Sequence, residues 1–161
     1  MTIKIPLQLL NIEGDGFHLQ LKVKVNGKAA LMIVDTGASR TVFDRAELQK
    51  YLKSEHISEH DRLSTGLGTS EMQSQVVKLG HLTLGKLKLE QFDAVVLDLS
   101  HVNHTYTAIG FAPIVGVLGS DVLVANKAVI DFRKKSLSLI TIKKVAKRKP
   151  AKKVVKRKPR R

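Results

Sequence analysis

The sequence predicts an all-β domain, a small closed barrel or closed sandwich that carries one or two short helices. Residues 17–25 alternate polar and apolar side chains, which is the period of a strand with one buried face. Asn26-Gly27 follows directly and is the strongest short signal of a β-hairpin. Residues 75–99 are rich in strand-forming side chains, with turns at glycine, and residues 128–142 indicate two strands around a charged turn. Short strands therefore dominate the chain.

The N-terminal part supplies the first strands. Residues 3–10 form a mostly apolar segment, and residues 12–16 (Ile-Glu-Gly-Asp-Gly) are a turn signal. After the hairpin turn, residues 29–34 are apolar throughout, which predicts a strand buried on both faces. Asp35 then lies just past the second strand of the hairpin.

The rest of the chain mixes short helices with strands. Asp44 can cap a short helix over residues 44–53, and Glu47, three residues later, completes a capping-box-like pair. A second short helix is expected to begin at Ser120. The remaining predictions are a loop at 64–70, strands with turns at Gly80 and Gly85-Lys86 within 75–99, an irregular connection at 100–113, and two strands around an Arg-Lys-Lys turn within 128–142.

The positive charge of the chain is concentrated at its C-terminus. The 161 residues carry a formal net charge of +14, and residues 143–161 hold 12 of the 28 Lys and Arg without any acid. That leaves 16 Lys and Arg against 14 Asp and Glu in residues 1–142, which are nearly neutral. We expect a globular domain over 1–142 and a disordered basic tail over 143–161.

The tail has two interpretations that the sequence leaves open. Its cations can neutralise phosphates and bind nucleic acid without sequence preference, or the tail can simply keep the protein soluble. No aromatic residue interleaves with the charges, so base stacking is not indicated. The candidate nucleic-acid contacts, from a repeated Lys-Arg-Lys-Pro, are Lys147, Arg148, Lys149, Lys156, Arg157 and Lys158.

Composition also limits compartment and chemistry. The chain has no cysteine, so it offers no disulfide, no thiolate ligand and no thiol nucleophile. Residues 1–16 have too short an apolar run for a signal peptide and lack a small-residue cleavage site. No stretch approaches the roughly 18 apolar residues that cross a membrane. We expect a soluble, cytoplasmic protein without a membrane partner.

Metal and nucleotide sites are not expected. His56 and His60 are four residues apart, but zinc needs a third ligand, and the flanking Ser and Glu residues indicate a solvated face. His101 and His104 lie in a polar connection and are interpreted as surface residues. The loop at 64–70 lacks the lysine of a phosphate-binding loop. We therefore expect no metal and no cofactor.

Asp35 is the main candidate for chemistry. A carboxylate at the end of an apolar strand can be a capping acceptor, an ion-pair partner, a metal ligand or an acid/base. The acid/base interpretation fits its neighbours, since Gly37 permits a tight turn and Ser39 can hydrogen-bond the carboxylate. Two such carboxylates brought together share a proton, so that one acts as base and the other as acid.

Two segments carry a family resemblance. "LMIVDTGAS" (31–39) resembles the signature of aspartic proteases, and "GVLGSD" (116–121) resembles their second conserved element. The order of the two segments and their separation of roughly 80 residues are similar to the single-domain, retropepsin-like type. The resemblance covers about residues 3–142 and is closest to the cellular, bacterial-type members. It implies the small closed barrel of a retropepsin-like acid protease.

The resemblance implies a role for each matching residue. Asp35 would be the catalytic aspartate, Thr36 would interlock across a dimer axis, Gly37 would permit the turn, and Ala38 and Ser39 would support the loop. Gly119 would lie under the catalytic loop. A flap closing over the substrate would fall within residues 62–76, with its tip at Gly66, Leu67, Gly68 and Thr69.

A single Asp-Thr-Gly implies a homodimer, because catalysis in this family needs two aspartates and this chain supplies one. The predicted function is an aspartic endopeptidase that hydrolyses polypeptides with a water activated between two Asp35 carboxylates. Gly119-Ser120-Asp121 lacks the arginine that supports the dimer in retroviral enzymes. The alternative is a non-catalytic dimeric module of the same fold that binds nucleic acid through its tail.

Overall fold

Eleven strands and three short helices make up the computed structural model, which describes residues 1–52, 61–64 and 72–141. The strands are β1 (Thr2–Pro6), β2 (Gln8–Asn11), β3 (Phe17–Val25), β4 (Lys28–Val34), β5 (Val42–Asp44), β6 (Asp61–Ser64), β7 (Met72–Leu84), β8 (Leu87–Leu97), β9 (Gly116–Leu118), β10 (Val129–Asp131) and β11 (Ser136–Ile140). The helices are α1 (Arg45–Gln49), α2 (Ser100–Ala108) and α3 (Ser120–Ala125).

Six strands close into a barrel, which confirms the predicted fold class. Their order is β3–β4–β9–β5–β8–β7, and β7 returns to β3 through the pairs Lys24↔Thr83 and Val25↔Leu82. β2 and β6 extend the sheet beside β3 and β7. Closure leaves no free edge within the ring. One main core fills the barrel, with Val25, Met32 and Phe43 among its fully buried side chains.

The β3–β4 hairpin forms as predicted. Val25 pairs with Lys28, so Asn26 and Gly27 make a two-residue turn, with φ of 49° and 86°. Both values are positive, as the favoured hairpin turns require. Gly85, with φ of 58°, opens the equally tight β7–β8 turn. The predicted turn at Gly80 is wrong: β7 continues through it, and the Asn26 side chain accepts a hydrogen bond from His81 N–H at 3.1 Å.

A separate three-stranded sheet joins the two ends of the described chain, in the order β1–β11–β10. β1 pairs antiparallel with β11 from Thr2↔Ile140 to Pro6↔Ser136. The predicted strand pair around the Arg-Lys-Lys turn is confirmed as β10 and β11. The inner face packs on the barrel core and carries the buried side chains of Ile3, Ile5, Leu137 and Leu139.

The helices differ in part from expectation. α1 begins after Asp44, whose carboxylate accepts the Glu47 N–H at 2.9 Å, as the capping pattern predicts. α3 begins at Ser120, as predicted. The prediction of an irregular connection at 100–113 is wrong, since α2 occupies most of that segment. The described residues therefore contain three helices, one more than expected. The cause of α2 is tertiary: the amide of Asn103 binds both main-chain groups of Ile114, at 2.8 and 3.0 Å.

A smaller core lies under α2. Tyr106 of this helix packs with Leu10, Ile33 and Ile114, and its burial raises the pKa of the phenol. No helix in the described ranges has the length and apolarity that crossing a bilayer demands.

Candidate active site

β4 carries Asp35 to the end of the barrel wall. Met32, Ile33 and Val34 are buried, and β4 lies between β3 and β9. The Asp35 N–H donates to the carbonyl of Leu118 in β9 at 3.0 Å, so the main chain is still paired where the side chain leaves the sheet. Asp35 itself is exposed in the single chain. Its carboxylate therefore keeps contact with water instead of requiring a partner in the core.

The turn after Asp35 fixes one oxygen of that carboxylate. The Gly37 N–H donates to Asp35 Oδ1 at 2.8 Å, and the Ala38 N–H donates to the Asp35 carbonyl at 3.3 Å. A Cβ at residue 37 would lie 3.1 Å from Asp35 Oδ1, tighter than an ordinary contact. A side chain at residue 37 would therefore crowd the carboxylate, which would have to shift by a few tenths of an ångström.

The structure gives the Asp35 carboxylate the Gly37 N–H as its donor, where the Ser39 hydroxyl was expected to contribute. The support that Ser39 gives to the loop stays a prediction. Thr36 and Ser39 are exposed, and Ala38 is half-buried. The role of Thr36 across a dimer axis stays a prediction.

The second sequence element, residues 116–121, covers β9 and the start of α3 and contacts the Asp35 turn. The Ser120 N–H donates to the Ala38 carbonyl, and the Ser120 hydroxyl donates to the Thr36 carbonyl, both at 2.8 Å. Gly119 lies against the main chain of Arg40 and Thr41, where a Cβ would come within 2.4 Å of the Arg40 carbonyl. Only glycine allows this approach, by which residue 119 lies against the end of the Asp35 loop.

A polar pair that the sequence analysis missed locks the far end of the loop. The Thr41 N–H and hydroxyl both donate to Asp121 Oδ1, at 2.9 and 2.7 Å, and the Gly119 N–H donates to the Thr41 hydroxyl at 3.0 Å. Arg40 Nε lies 3.6 Å from Asp121 Oδ2. Thr41 is buried, so these bonds satisfy groups that water does not reach. An acid in the first turn of α3, close behind Gly119, is the signal that points to the pair.

Gly116 is a second close approach in the same region. It pairs with Met32 of β4 on one side and Phe43 of β5 on the other. A Cβ at this position would fall 2.1 Å from the carbonyl oxygen of Val42. The glycine therefore lets β9 lie between the two strands that flank the Asp35 loop.

The predicted flap tip and tail contacts lie outside the described residues. Gly66, Leu67, Gly68 and Thr69 fall between β6 and β7, which pair antiparallel from Asp61↔Gln75 to Ser64↔Met72. His56 and His60 and the six tail residues at 147–149 and 156–158 also lie outside. Within the described ranges, no three His, Asp or Glu side chains group as metal ligands do.

The geometry thus presents one carboxylate, exposed and held by its own turn, on a loop tied to two neighbouring elements. The family model described as "Aspartyl protease" matches residues 21–122, which include both the Asp35 turn and the Gly119–Asp121 brace. The chain belongs to the aspartyl protease family.

Solved structures place this aspartyl protease family member in the retropepsin-like fold. It resembles a retropepsin-like aspartic protease from Rickettsia conorii, with 21% identity, a TM-score of 0.51 and coverage of 86% of this chain and 89% of the other. It also resembles the retroviral protease-like domain of Ddi1 from Leishmania major, with 16% identity, a TM-score of 0.52 and coverage of 78% and 90%. No curated protein matches the chain in sequence. At these identities the similarity concerns the fold.

Proposed function

We propose that the chain is a homodimeric aspartic endopeptidase in which two Asp35 carboxylates, one from each copy, activate a water molecule against a peptide bond. The observation that carries the proposal is the Asp35 carboxylate itself. It is exposed in the single chain, and Gly37 N–H holds one of its oxygens. A group fixed in position and open to solvent can meet a substrate without reorganising the loop.

We infer that the second carboxylate comes from another copy, because two acids of the described barrel, Asp44 and Asp121, are already engaged. Asp44 is buried and accepts the N–H groups of Glu47 and Leu99. Asp121 accepts both donors of Thr41 and faces Arg40. A two-fold axis beside the Asp35 turn would bring two identical carboxylates together, and two-fold dimers are the commonest symmetric assembly.

The proposed reaction follows from proton sharing between the two carboxylates. The ionised carboxylate takes a proton from water as the water oxygen attacks the peptide carbonyl carbon, and the protonated carboxyl donates its proton to the carbonyl oxygen. In the second step the carboxyl that took the proton from water donates it to the peptide nitrogen as the C–N bond breaks. The other carboxylate takes a hydroxyl proton from the tetrahedral intermediate, which leaves a carboxylic acid and an amine and restores the shared proton. The substrate would lie extended and hydrogen-bond as an added strand, under a flap with its tip at Gly66, Leu67, Gly68 and Thr69.

A peptide-library cleavage assay tests the proposal. The wild type is expected to cleave peptides with an optimum on the acid side of neutrality, since both carboxylates ionise at high pH. Asp35→Asn removes the acid while preserving side-chain size and should abolish cleavage. Asp93→Asn is the matched control, because Asp93 is an exposed aspartate of β8 whose partner is Lys78. Absence of wild-type cleavage between about pH 4 and 7, or cleavage retained by Asp35→Asn, contradicts the proposal.

The basic tail supports a second activity, binding of nucleic acid. Residues 143–161 contain 12 cations and no acid, which is enough charge to neutralise several phosphates. The six cations of the repeated Lys-Arg-Lys, at 147–149 and 156–158, would carry most of this contact. If Asp35 is inactive, the dimer would serve as a module that presents two tails. We keep this as the alternative function.

A further inference from the structure

The β3–β4 hairpin carries cations and no acid. Residues 16–34 contain no Asp or Glu, and their three lysines are Lys22, Lys24 and Lys28. All three lysines are exposed. Because the domain over 1–142 is nearly neutral as a whole, this hairpin concentrates positive charge on one part of its surface.

Lys22 and Lys24 point to the outside of the barrel. Leu21 and Val23 beside them are buried in the main core, and alternate residues of a strand face opposite sides of the sheet. Two residues along a strand span about 6.6 Å. The two ammonium groups can therefore follow successive phosphates of an extended nucleic-acid strand.

The described acids leave the charge of this hairpin uncompensated. Among the described residues, no carboxylate lies within 4.0 Å of the ammonium groups of its three lysines. Nearby cations do have such a partner, since Lys50 contacts Glu47 at 2.7 Å and Lys88 contacts Glu90 at 3.0 Å. Lys28 Nζ donates to the carbonyl of Lys50 at 3.1 Å, which holds the lysine without cancelling its charge. An external anion can therefore meet these cations.

Tyr51 brings an aromatic ring to the same hairpin. Its hydroxyl donates to the Ala29 carbonyl at 3.2 Å, and its own carbonyl accepts a hydrogen bond from the Asn26 side chain at 3.1 Å. Ala29 is the strand partner of Lys24. Tyr51 is half-buried, so part of it stays open beside the cations. Proteins that bind single strands combine cations with aromatic rings on which bases stack.

We propose that the β3–β4 hairpin binds single-stranded nucleic acid together with the tail. The hairpin face, which we define by Lys22, Lys24, Lys28 and Tyr51, contacts phosphates through its lysines and stacks a base on its tyrosine. Three lysines alone bind a strand weakly, so the 12 cations of the tail supply most of the affinity and the face fixes the strand on the domain. The inference rests on the nucleic-acid binding proposed for the tail and is independent of the protease.

The hairpin face lies away from the Asp35 turn. Lys28 begins β4, and Asp35 directly follows the last residue of that strand. Seven residues of strand span about 23 Å. A nucleic-acid strand on the hairpin face therefore leaves the Asp35 carboxylate open to a peptide.

Fluorescence anisotropy of a labelled oligothymidylate, titrated with the full chain over a range of salt concentrations, tests the lysines. The hairpin variant combines Lys22→Gln, Lys24→Gln and Lys28→Gln. The matched control removes the same charge from three exposed lysines elsewhere on the domain, through Lys4→Gln, Lys86→Gln and Lys135→Gln. Thermal unfolding checks that both variants remain folded.

The hairpin variant is expected to lower the slope of log K against log salt by about 2, as the loss of three phosphate contacts to a single strand requires. The control should keep nearly the slope of the wild type. Equal losses in the two variants would overturn the inference, because the effect would then follow total charge instead of the hairpin face.

A second pair of variants tests the aromatic ring. Tyr51→Leu should bind the oligothymidylate about tenfold more weakly than Tyr51→Phe, which keeps the ring. Equal binding by these two variants contradicts stacking and overturns the inference. Poly-glutamate that displaces the oligothymidylate as well as an unlabelled oligothymidylate of equal charge would assign the face to acidic proteins and overturn it too.

The outcomes also separate the hairpin face from the tail. Absence of oligothymidylate binding by the wild-type chain overturns the inference together with the activity proposed for the tail. Binding that removal of residues 143–161 abolishes, but that the hairpin variant leaves unchanged, overturns the inference alone.

Discussion

Asp35 and Asp44 occupy similar places in the barrel and have opposite environments. Asp35 directly follows β4, and Asp44 is the last residue of β5. Asp44 is only 1% exposed, and its two oxygens accept the N–H groups of Leu99 and Glu47 at 2.7 and 2.9 Å. Asp35 is exposed, and the structure gives its carboxylate one donor, the Gly37 N–H.

This difference separates a carboxylate that joins structural elements from one that is open to a substrate. Both oxygens of Asp44 accept main-chain donors, so the side chain joins β5, the start of α1 and the start of α2. Its burial keeps it out of reach of a substrate. One oxygen of Asp35 is fixed and the other is open. An apolar strand that ends in aspartate therefore does not by itself distinguish a structural acid from a candidate catalytic one, and the burial and hydrogen-bond donors of the carboxylate add the needed information.

The largest effect should come from Asp35→Asn. We expect its cleavage rate to fall by about 10³-fold or more, because the amide cannot serve as the acid/base. The midpoint of thermal unfolding should stay within about 2 °C of wild type, since the side chain is exposed. Calorimetry measures the midpoint of unfolding, and the cleavage assay measures the rate separately. A large loss of stability would mean that Asp35 is a structural acid like Asp44.

Asp44→Ala should mainly lower stability, whereas Asp35→Asn should mainly lower the cleavage rate. The substitution leaves the N–H groups of Glu47 and Leu99 without acceptors, and it removes the cap of α1. We expect a loss of about 2–4 kcal/mol in the free energy of unfolding, measured by denaturant titration. Asp44→Asn should lose less, because asparagine also caps helices. If Asp44→Ala is as stable as wild type, the bonds assigned to Asp44 do not contribute to the fold.

Asp121→Ala should have a smaller effect, and it should lower both stability and activity. It leaves the Thr41 N–H and hydroxyl unpaired and loosens the loop that carries Asp35. We expect about 1–2 kcal/mol of lost stability and a lower kcat, with recovery of most of both in Asp121→Asn, which keeps an acceptor oxygen. Equal damage from the Ala and Asn variants would assign the effect to the charge facing Arg40 instead of the hydrogen bonds to Thr41.

Removal of residues 143–161 should have the smallest effect on the domain. Stability and peptide cleavage are expected to match those of the full chain, because the boundary proposed at residue 142 separates the domain from its tail. Binding of the protein to DNA at low salt should be lost, because the tail cations are the groups that displace counterions from the DNA. Unchanged DNA retention by the truncated chain would refute the role given to the tail.

Local patterns of the sequence predict much of the fold, because the signals lie close together in the chain. Asn26-Gly27 predicts a hairpin, and that hairpin puts Asp35 directly after β4. Asp44 followed by Glu47 predicts the start of α1. α2 was missed because its stability depends on contacts such as that of Asn103 with Ile114, which no periodicity reveals. The turn expected at Gly80 fails for the same reason, since Asn26, distant in sequence, sets its environment.

The sequence likewise predicts the Asp35 loop of the candidate site, but not the contacts that hold the loop in place. The pattern around Asp35 and the later Gly119 identifies the loop and the element that supports it. The bonds of Thr41 with Asp121 depend on folding across 80 residues. The acid in the first turn of α3 is their one local signal, and nothing local identifies Thr41 as its partner.

Mixing active and inactive subunits tests the central claim, that each site needs one Asp35 from each of two copies. Wild type and Asp35→Asn are combined at constant total protein and allowed to exchange subunits, and peptide cleavage is measured against the wild-type fraction. If a site requires both carboxylates, activity falls with the square of that fraction, because mixed dimers are inactive. Activity that falls in direct proportion to the fraction would mean that one chain suffices and would contradict the account.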